Sequence, residues 1–180
     1  MVALIRELGR YEPRTSEEAA DVGRVRSLLR SAADPWSRST PLHVTGSALV
    51  VHPSSRRVLL RWHARQQAWL QIGGHVDPGE VHPLTTALRE GAEETGLTDL
   101  VAWPDASIAH VVIVDVAAAK GEPAHEHADV RFVLATETPE AIEPESPEAR
   151  LRWLSVEEAK GVTAEENLRE TLTRVGGLLG

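Results

Sequence analysis

The chain has 180 residues, of which 27 are acidic and 19 are basic, for a formal net charge of −8. This length suits one compact domain, and the acidic balance argues against binding to nucleic acid or to an anionic membrane, since both need a basic surface. The absence of cysteine excludes disulfides, thiolate metal sites and cysteine nucleophiles. Residues 1–14 lack the apolar stretch of a secretory signal, and no run approaches the roughly 18 apolar residues that span a bilayer, so we expect a cytoplasmic protein.

Hydrophobic periodicity and turn residues predict the secondary structure. In chain order the elements are a helix over 15–33, strands over 43–51, 58–63 and 68–72, a helix over 83–95, strands over 108–116, 129–135 and 152–154, and two C-terminal helices. Capping boxes predict the starts of three helices: Thr15 with Glu18, Ser155 with Glu158, and Thr163 with Glu166. A polar loop is expected over 120–127. This order favours an α/β fold, with helices packed on both faces of one mixed sheet.

The helix over 83–95 concentrates negative charge. Glu90 lies three residues before Glu93 and four before Glu94, so the three carboxylates share one face of the helix. Like charges at this spacing destabilise a helix by a few tenths of a kcal/mol per pair. A hard cation such as Mg²⁺ would relieve that repulsion and could bridge the acidic helix to a phosphorylated ligand. The alternative is a solvated acidic face on which Arg89 pairs with Glu93.

A glycine-rich loop immediately precedes this helix, and the two together form a recognisable pattern. The run from Gly73 to Leu97 resembles the signature of the Nudix hydrolases, in which a glycine, a glutamate, an Arg-Glu pair, two further glutamates and a final glycine have fixed spacing. The residues on those positions are Gly74, Glu80, Arg89, Glu90, Glu93, Glu94, Gly96 and Leu97. Two departures occur: one extra residue lies between Glu80 and Arg89, and Gly91 replaces an aliphatic residue. Neither removes an expected metal ligand.

The resemblance implies a Nudix-type α/β/α sandwich and a magnesium- or manganese-dependent cleavage of a diphosphate linkage by water. Its implied metal ligands are Glu90, Glu93, Glu94 and the main-chain carbonyl of Gly74. Arg89 would orient the glutamates, and Glu80, with Gly73 and Gly96, would belong to the structural part of the motif. Glu90 is the first choice for the general base, and Glu122 or Glu126 from the polar loop is the alternative.

A second group of polar residues alternates with period two: His125, His127, Asp129 and Arg131. On a strand these side chains point to one side. Two histidines at this spacing can bind a metal, but without a third ligand nearby we expect them to contact the substrate. Arg131 either contacts a phosphate or pairs with Asp129. The full predicted substrate-binding set is Arg61, His125, Glu126, His127 and Arg131.

Two other functions compete with hydrolysis. An isopentenyl-diphosphate isomerase of similar fold relies on an active-site cysteine, which this chain lacks, so we reject it. A non-catalytic nucleotide sensor remains the alternative, although the complete set of signature glutamates favours the enzyme. We expect a single domain over 1–180, with an N-terminal helical extension over 1–40, a core over 41–160 and a C-terminal helix over 161–180. A small nucleotide is the expected partner, and a homodimer is common in the family.

Overall fold

A computed structural model describes residues 1–119 and 121–180 of the chain. Five α-helices and eight strands follow one another in it: α1 (Val2–Arg10), α2 (Ser16–Ser31), β1 (Leu42–His52), β2 (Arg57–His63), β3 (Ala68–Leu70), β4 (Ile72–His75), α3 (Pro83–Thr95), β5 (Val101–Ala102), β6 (His110–Val116), β7 (His125–Ala135), β8 (Leu151–Ser155), α4 (Val156–Val162) and α5 (Glu166–Leu179). In these described residues, no helix is both long enough and apolar enough to cross a bilayer.

The eight strands form one mixed sheet with β1 at its centre. β1 runs parallel to β7 on one side, where Leu42 is in register with Glu126 and Val51 with Ala135. On the other side it pairs antiparallel with β2 and β4, and the remaining pairings in the sheet are also antiparallel. The predicted α/β class with a mixed sheet is confirmed.

Two hydrophobic cores cover the two faces of the sheet. One joins the sheet to α1, α2 and α3, through buried residues such as Leu4, Val25, Ala87 and Phe132. The other joins it to α4 and α5, through residues such as Leu60, Val133 and Leu172. Because successive strand residues point to opposite faces, a strand segment buried in both cores is continuously apolar, as residues 48–51 of β1 and 132–135 of β7 are. The result is the expected α/β/α sandwich.

The structure differs from two expectations about local elements. Helix α1 was not predicted, since it spans nine residues without a side-chain cap; burial of Leu4 and Leu8 on one face stabilises it. Strand β7 begins at His125, so the predicted polar loop ends earlier than residue 127. The first residue of that predicted loop, Lys120, lies outside the described residues.

The predicted helix starts have different outcomes. Ser155 and Glu158 form the predicted capping box. Thr15 caps α2, but the Glu18 carboxylate turns to other partners. The box at Thr163 is wrong, because this residue ends α4 and α5 begins after Glu165 without a side-chain cap.

Candidate active site

Helix α3 lies against the part of the sheet where β1 pairs with β4. A β-carbon at Gly46 of β1 would lie 2.9 Å from Cβ of Thr86, so the helix approaches the strand as closely as a glycine permits. Gly46 is in register with Gly74 of β4. The start and end of the helix are set by local chemistry: Pro83 occupies the first turn, and Gly96 adopts the left-handed conformation with φ 72°. The helix thus brings its glutamates to the Gly73–Gly74 edge.

Glu94 and Glu90 are the two carboxylates closest to this glycine edge. The main-chain N–H of Gly73 donates to Oε2 of Glu94 at 3.3 Å, and Arg61 lies 3.3 Å from its Oε1. A β-carbon at Gly74 would lie 2.6 Å from Cδ of Glu90. Burial raises the pKa of Glu94 to about 7 and also raises the pKa of Glu90. Both acids are therefore costly to ionise where they stand.

Arg89 holds the loop and the glutamates together. Its Nε donates to Glu80 at 3.0 Å, and its Nη2 donates to the main-chain carbonyl of His75 at 2.9 Å. Its Nη1 donates to Glu90 at 2.9 Å and to Glu93 at 3.0 Å. The hydrogen bond to Glu80 is the main reason why the pKa of Arg89 is raised. One guanidinium thus links the loop between β4 and α3 (residues 76–82, the signature loop) to two carboxylates of α3.

Glu80 is fixed from several directions. It accepts hydrogen bonds from Thr86 and from the main-chain N–H of Asp77, both at 2.8 Å, besides those from Arg89. Burial raises the pKa of its carboxyl, but these hydrogen bonds outweigh burial and lower it overall. Its oxygens are committed to holding the loop closed against the helix.

The residues present fit a hard divalent cation. The carboxylates of Glu90, Glu93 and Glu94 and the main-chain carbonyl of Gly74 offer oxygen ligands, which Mg²⁺ and Mn²⁺ prefer. Two of the carboxylates are destabilised as anions by burial, and a cation would offset that cost. Only glycine at position 74 lets the main chain approach Glu90 so closely.

Three of the five predicted substrate contacts form ion pairs within the protein: Arg61, Glu126 and Arg131. Arg61 of β2 pairs with Glu94 and Glu145, while its buried Nε has no hydrogen-bond partner. Glu126 pairs with Arg24 of α2, at 3.0 and 2.7 Å. Since Glu126 is adjacent to His125 and His127, its side chain points to the opposite face of β7. Arg61 therefore lies at the glutamate site, whereas Glu126 is engaged with the N-terminal region.

Arg131 shows the pairing alternative rather than an open phosphate contact. It is 2% exposed, and its Nε donates to Asp129 at 2.8 Å. Its other nitrogens donate to the side chains of Asn167 and Thr171 on α5, at 2.8 and 2.9 Å. Arg131 has these partners because α5 packs over this part of β7. The sequence alone did not predict that position of α5.

The two histidines of β7 belong to a larger group than the sequence indicated. His43 lies on β1 in register with His127 of β7, and His75 is the last residue of β4, next to Gly74. One ligand nitrogen from each of His43, His75, His125 and His127 lies within 4.8 Å of the others. Burial lowers the pKa of His75 to about 3 and that of His127 to about 4, and it also lowers the pKa of His43. A metal site at His125 and His127 was not expected because no third ligand was evident in the sequence; His43 and His75 now supply two more imidazoles.

The comparisons with known proteins agree with this geometry. The family model described as the NUDIX domain matches residues 41–175. No curated protein was found to be a sequence relative. Among solved structures, a NUDIX-family hydrolase from Clostridium perfringens is similar with a TM-score of 0.59 and 24% identity, covering 77% of this chain and 98% of that one.

Two further structures share the fold. An Ap4A hydrolase from C. elegans has a TM-score of 0.59 and 20% identity, covering 76% of this chain and 96% of that one. The E. coli dihydroneopterin triphosphate pyrophosphohydrolase has a TM-score of 0.56 and 20% identity, covering 73% of this chain and 92% of that one. The family match extends over most of the chain and includes the whole loop–helix site. The chain therefore belongs to the Nudix family and is a hydrolase of that family.

Proposed function

We propose that this hydrolase cleaves the phosphoanhydride bond of a nucleoside-diphosphate-linked metabolite by attack of water at phosphorus, with Mg²⁺ or Mn²⁺ as cofactor. The observation that carries the proposal is the Arg89 guanidinium, which binds Glu90, Glu93 and the main-chain carbonyl of His75, the residue after Gly74. The proposed metal ligands are Glu90, Glu93, Glu94 and the carbonyl of Gly74. When bound, the metal would neutralise phosphate charge and activate the water.

The protein groups have separate proposed tasks. Arg89 orients the carboxylates, and Glu80 fixes the loop to the helix through Thr86 and Asp77. Arg61 is retained as a phosphate contact, because its buried Nε has a hydrogen to donate and no partner. Glu90 is the proposed general base. Glu126 is dropped from that role and from the substrate contacts, since it is paired with Arg24.

The remaining expectations concern the whole protein. We propose one domain over 1–180, in which 1–40 is an extension, 41–160 the core and 161–180 the C-terminal helix. A homodimer is proposed from the family resemblance. We also propose a cytoplasmic location, and no nucleic-acid partner because the composition is acidic.

The test is hydrolysis of a substrate panel in the presence of Mg²⁺. The panel contains ADP-ribose, dinucleoside polyphosphates, oxidised nucleoside triphosphates, nucleotide sugars and dinucleotide coenzymes, and release of phosphate or of a nucleoside monophosphate is measured. We expect Glu93→Gln and Glu94→Gln each to lower turnover by more than about tenfold, since loss even of an outer-shell partner typically costs that much. The matched control is Glu17→Gln, which changes an exposed glutamate of α2 and should leave turnover unchanged.

The same panel separates the enzyme from a sensor. A substrate that only the wild type cleaves, and only with metal, supports the hydrolase and gives its substrate class. If no compound is cleaved while one nucleotide binds tightly, and neither substitution weakens that binding, the non-catalytic sensor is the better description.

A further inference from the structure

Four histidines from three strands converge on one face of the sheet, beside the signature loop. β1 and β7 place His43 and His127 directly side by side. His125 lies two residues before His127 and so shares its face, and β4 adds His75 from the other side of β1. The imidazole rings contact one another, with centroids 5.0 Å apart for His43 and His127 and 4.8 Å apart for His75 and His127.

In two of these rings, a hydrogen bond from Nδ1 shows which nitrogen carries the electron pair. Nδ1 of His43 donates to the main-chain carbonyl of Thr40 at 2.8 Å, and Nδ1 of His125 donates to that of Pro123 at 2.9 Å. A carbonyl can only accept, so the neutral rings carry their proton on Nδ1 and an unshared electron pair on Nε2. Such a bond from the outer nitrogen to a carbonyl is the usual support of a metal-binding histidine.

The electron pair of His43 is unused. The residue is 1% exposed, and its Nε2 is buried without a hydrogen-bond partner. Leaving a buried polar atom unpaired is unfavourable, so a buried acceptor of this kind indicates a missing partner. The other three rings surround it, and each of them is partly exposed, which leaves a path from solvent.

The spacing of the nitrogens suits one small ion. Nε2 of His127 donates to Nε2 of His125 at 3.1 Å, and a bound ion would take the place of that shared proton. In a tetrahedral site with zinc–nitrogen bonds of about 2.0–2.1 Å, neighbouring ligand nitrogens would be about 3.3 Å apart. No two of the four ligand nitrogens are more than 4.8 Å apart, so small side-chain rotations would bring all four to one ion. Arg38 is the nearby cation that opposes binding, but it is exposed and water screens its charge.

We propose that His43, His75, His125 and His127 form a second metal site, which binds one divalent transition-metal ion of the zinc class. Imidazole nitrogens suit Zn²⁺ and its neighbours, whereas the glutamates of α3 offer the oxygen ligands of a hard cation. The two sites meet at one residue. The side chain of His75 belongs to the histidine cluster, while its main-chain carbonyl accepts from Arg89. A metal held there would fix the end of β4 from which the signature loop departs.

The test is zinc binding by the full chain without an affinity tag, after removal of metals with a chelator. We expect isothermal titration and metal analysis to show one tightly bound Zn²⁺ per chain, and Co²⁺ in its place to give the visible spectrum of a tetrahedral nitrogen site. His43→Ala and His127→Ala should each weaken zinc binding by at least about tenfold. The matched control is His52→Ala, which removes a histidine from the other end of β1 and should leave zinc affinity unchanged.

Further measurements keep the outcome clear if an alanine variant folds poorly. His125→Gln, at the partly exposed start of β7, should also weaken zinc binding, and zinc should raise the melting temperature of the wild type but not of this variant. The double variant Glu93→Gln with Glu94→Gln should keep the zinc site. Failure of the wild type to bind zinc overturns the proposal, as does zinc binding that depends on the glutamates and not on the histidines. Zinc affinity and melting temperature are both measured without turnover, so failure of this proposal can be told apart from failure of the proposed hydrolysis.

Discussion

Glu18 and Arg174 form a buried, two-pronged ion pair that joins α2 to α5. Nη1 and Nη2 of Arg174 donate to the two carboxylate oxygens of Glu18 at 2.7 and 2.9 Å, and both residues are about 95% buried. The hydroxyl of Tyr11 and the main-chain N–H of Arg14 also donate to the same carboxylate. The N-terminal extension is thereby fastened to the C-terminal helix.

Glu18→Ala should destabilise the fold strongly. It leaves the Arg174 guanidinium buried without its main partner, and breaking a buried pair in this way costs about 3–5 kcal/mol. Chemical denaturation monitored by tryptophan fluorescence would measure the free energy of unfolding. Glu17→Ala, one position earlier and exposed, is the control and should change it by less than about 0.5 kcal/mol. Equal effects of the two substitutions would contradict the role of the pair.

The same pair predicts a dependence of stability on pH. Burial raises the pKa of Glu18, but hydrogen bonds from Arg174 and Tyr11 outweigh burial and lower it from 4.5 to about 2. Because the folded pKa is below the unfolded one, the ionised carboxylate stabilises the fold above about pH 4.5, and this contribution is lost as the pH falls toward 2. The wild type should therefore be more stable than Glu18→Gln at neutral pH. Denaturation of both proteins over a pH series should show the difference shrinking in acid; a constant difference would count against it.

Gly74→Ala should impair catalysis more than stability. The new methyl group would overlap the Glu90 carboxylate and push it from its position beside the loop. We expect turnover of the substrate found in the panel to fall by about tenfold to a hundredfold, the range for disturbing the support of a metal ligand. Gly161→Ala on α4 is the control, since a β-carbon there meets nothing within 4 Å. Unchanged turnover and metal dependence in Gly74→Ala would exclude this glycine from the site.

Arg89→Lys should lower turnover although the charge is kept. The planar guanidinium donates to Glu80, Glu90 and Glu93 at once, and a single ammonium cannot replace that fork. We expect a loss of about tenfold or more and a higher Mg²⁺ concentration for half-maximal turnover. Arg30→Lys, on the exposed surface of α2, should behave as the wild type. If Arg89→Lys keeps full turnover, positive charge alone is sufficient at position 89.

Gly91 is explained by its contact with Leu100. A β-carbon at position 91 would lie 2.7 Å from Cδ1 of Leu100, which is too close without a shift of that side chain. The change that Gly91→Ala makes in the free energy of unfolding should therefore be more stabilising by about 1 kcal/mol in a Leu100→Ala background than in the wild type. Unfolding free energies of the four proteins in this cycle measure the coupling. Gly23→Ala on α2 has open space and should show no coupling with Leu100.

The loop and helix of the site were predictable because their information is local. The spacing of Glu90, Glu93 and Glu94 places them on one face of any helix, and Gly96 ends that helix wherever it packs. The sequence also predicted β1 and β2, whereas residues 73–75, expected in a loop, belong to strand β4. It did not predict α1, whose stability comes from burial of Leu4 and Leu8 in the core rather than from its own caps.

The histidine cluster and the partners of Arg131 could not be predicted in this way. His43 and His127 become neighbours only through the parallel register of β1 and β7, and no local pattern gives that register. His75 is visible in the sequence next to Gly74, but the direction of its side chain depends on the pairing of β4 with β1. Arg131 had two alternatives; it pairs with Asp129, and Asn167 of α5 accepts a further hydrogen bond from its guanidinium. Tertiary contacts determine both features.

The parallel pairing of β1 with β7 also has a consequence for the order in which the chain folds. Thr45 and Asp129, which touch across this pair, are 84 residues apart in the sequence. One edge of β1 can be covered early by β2 and β4, but the other must wait until β7 has been synthesised. Closing so long a loop before its contacts form slows folding. During that interval β1 presents an apolar strand edge, so nascent or refolding chains should be most prone to aggregation through β1.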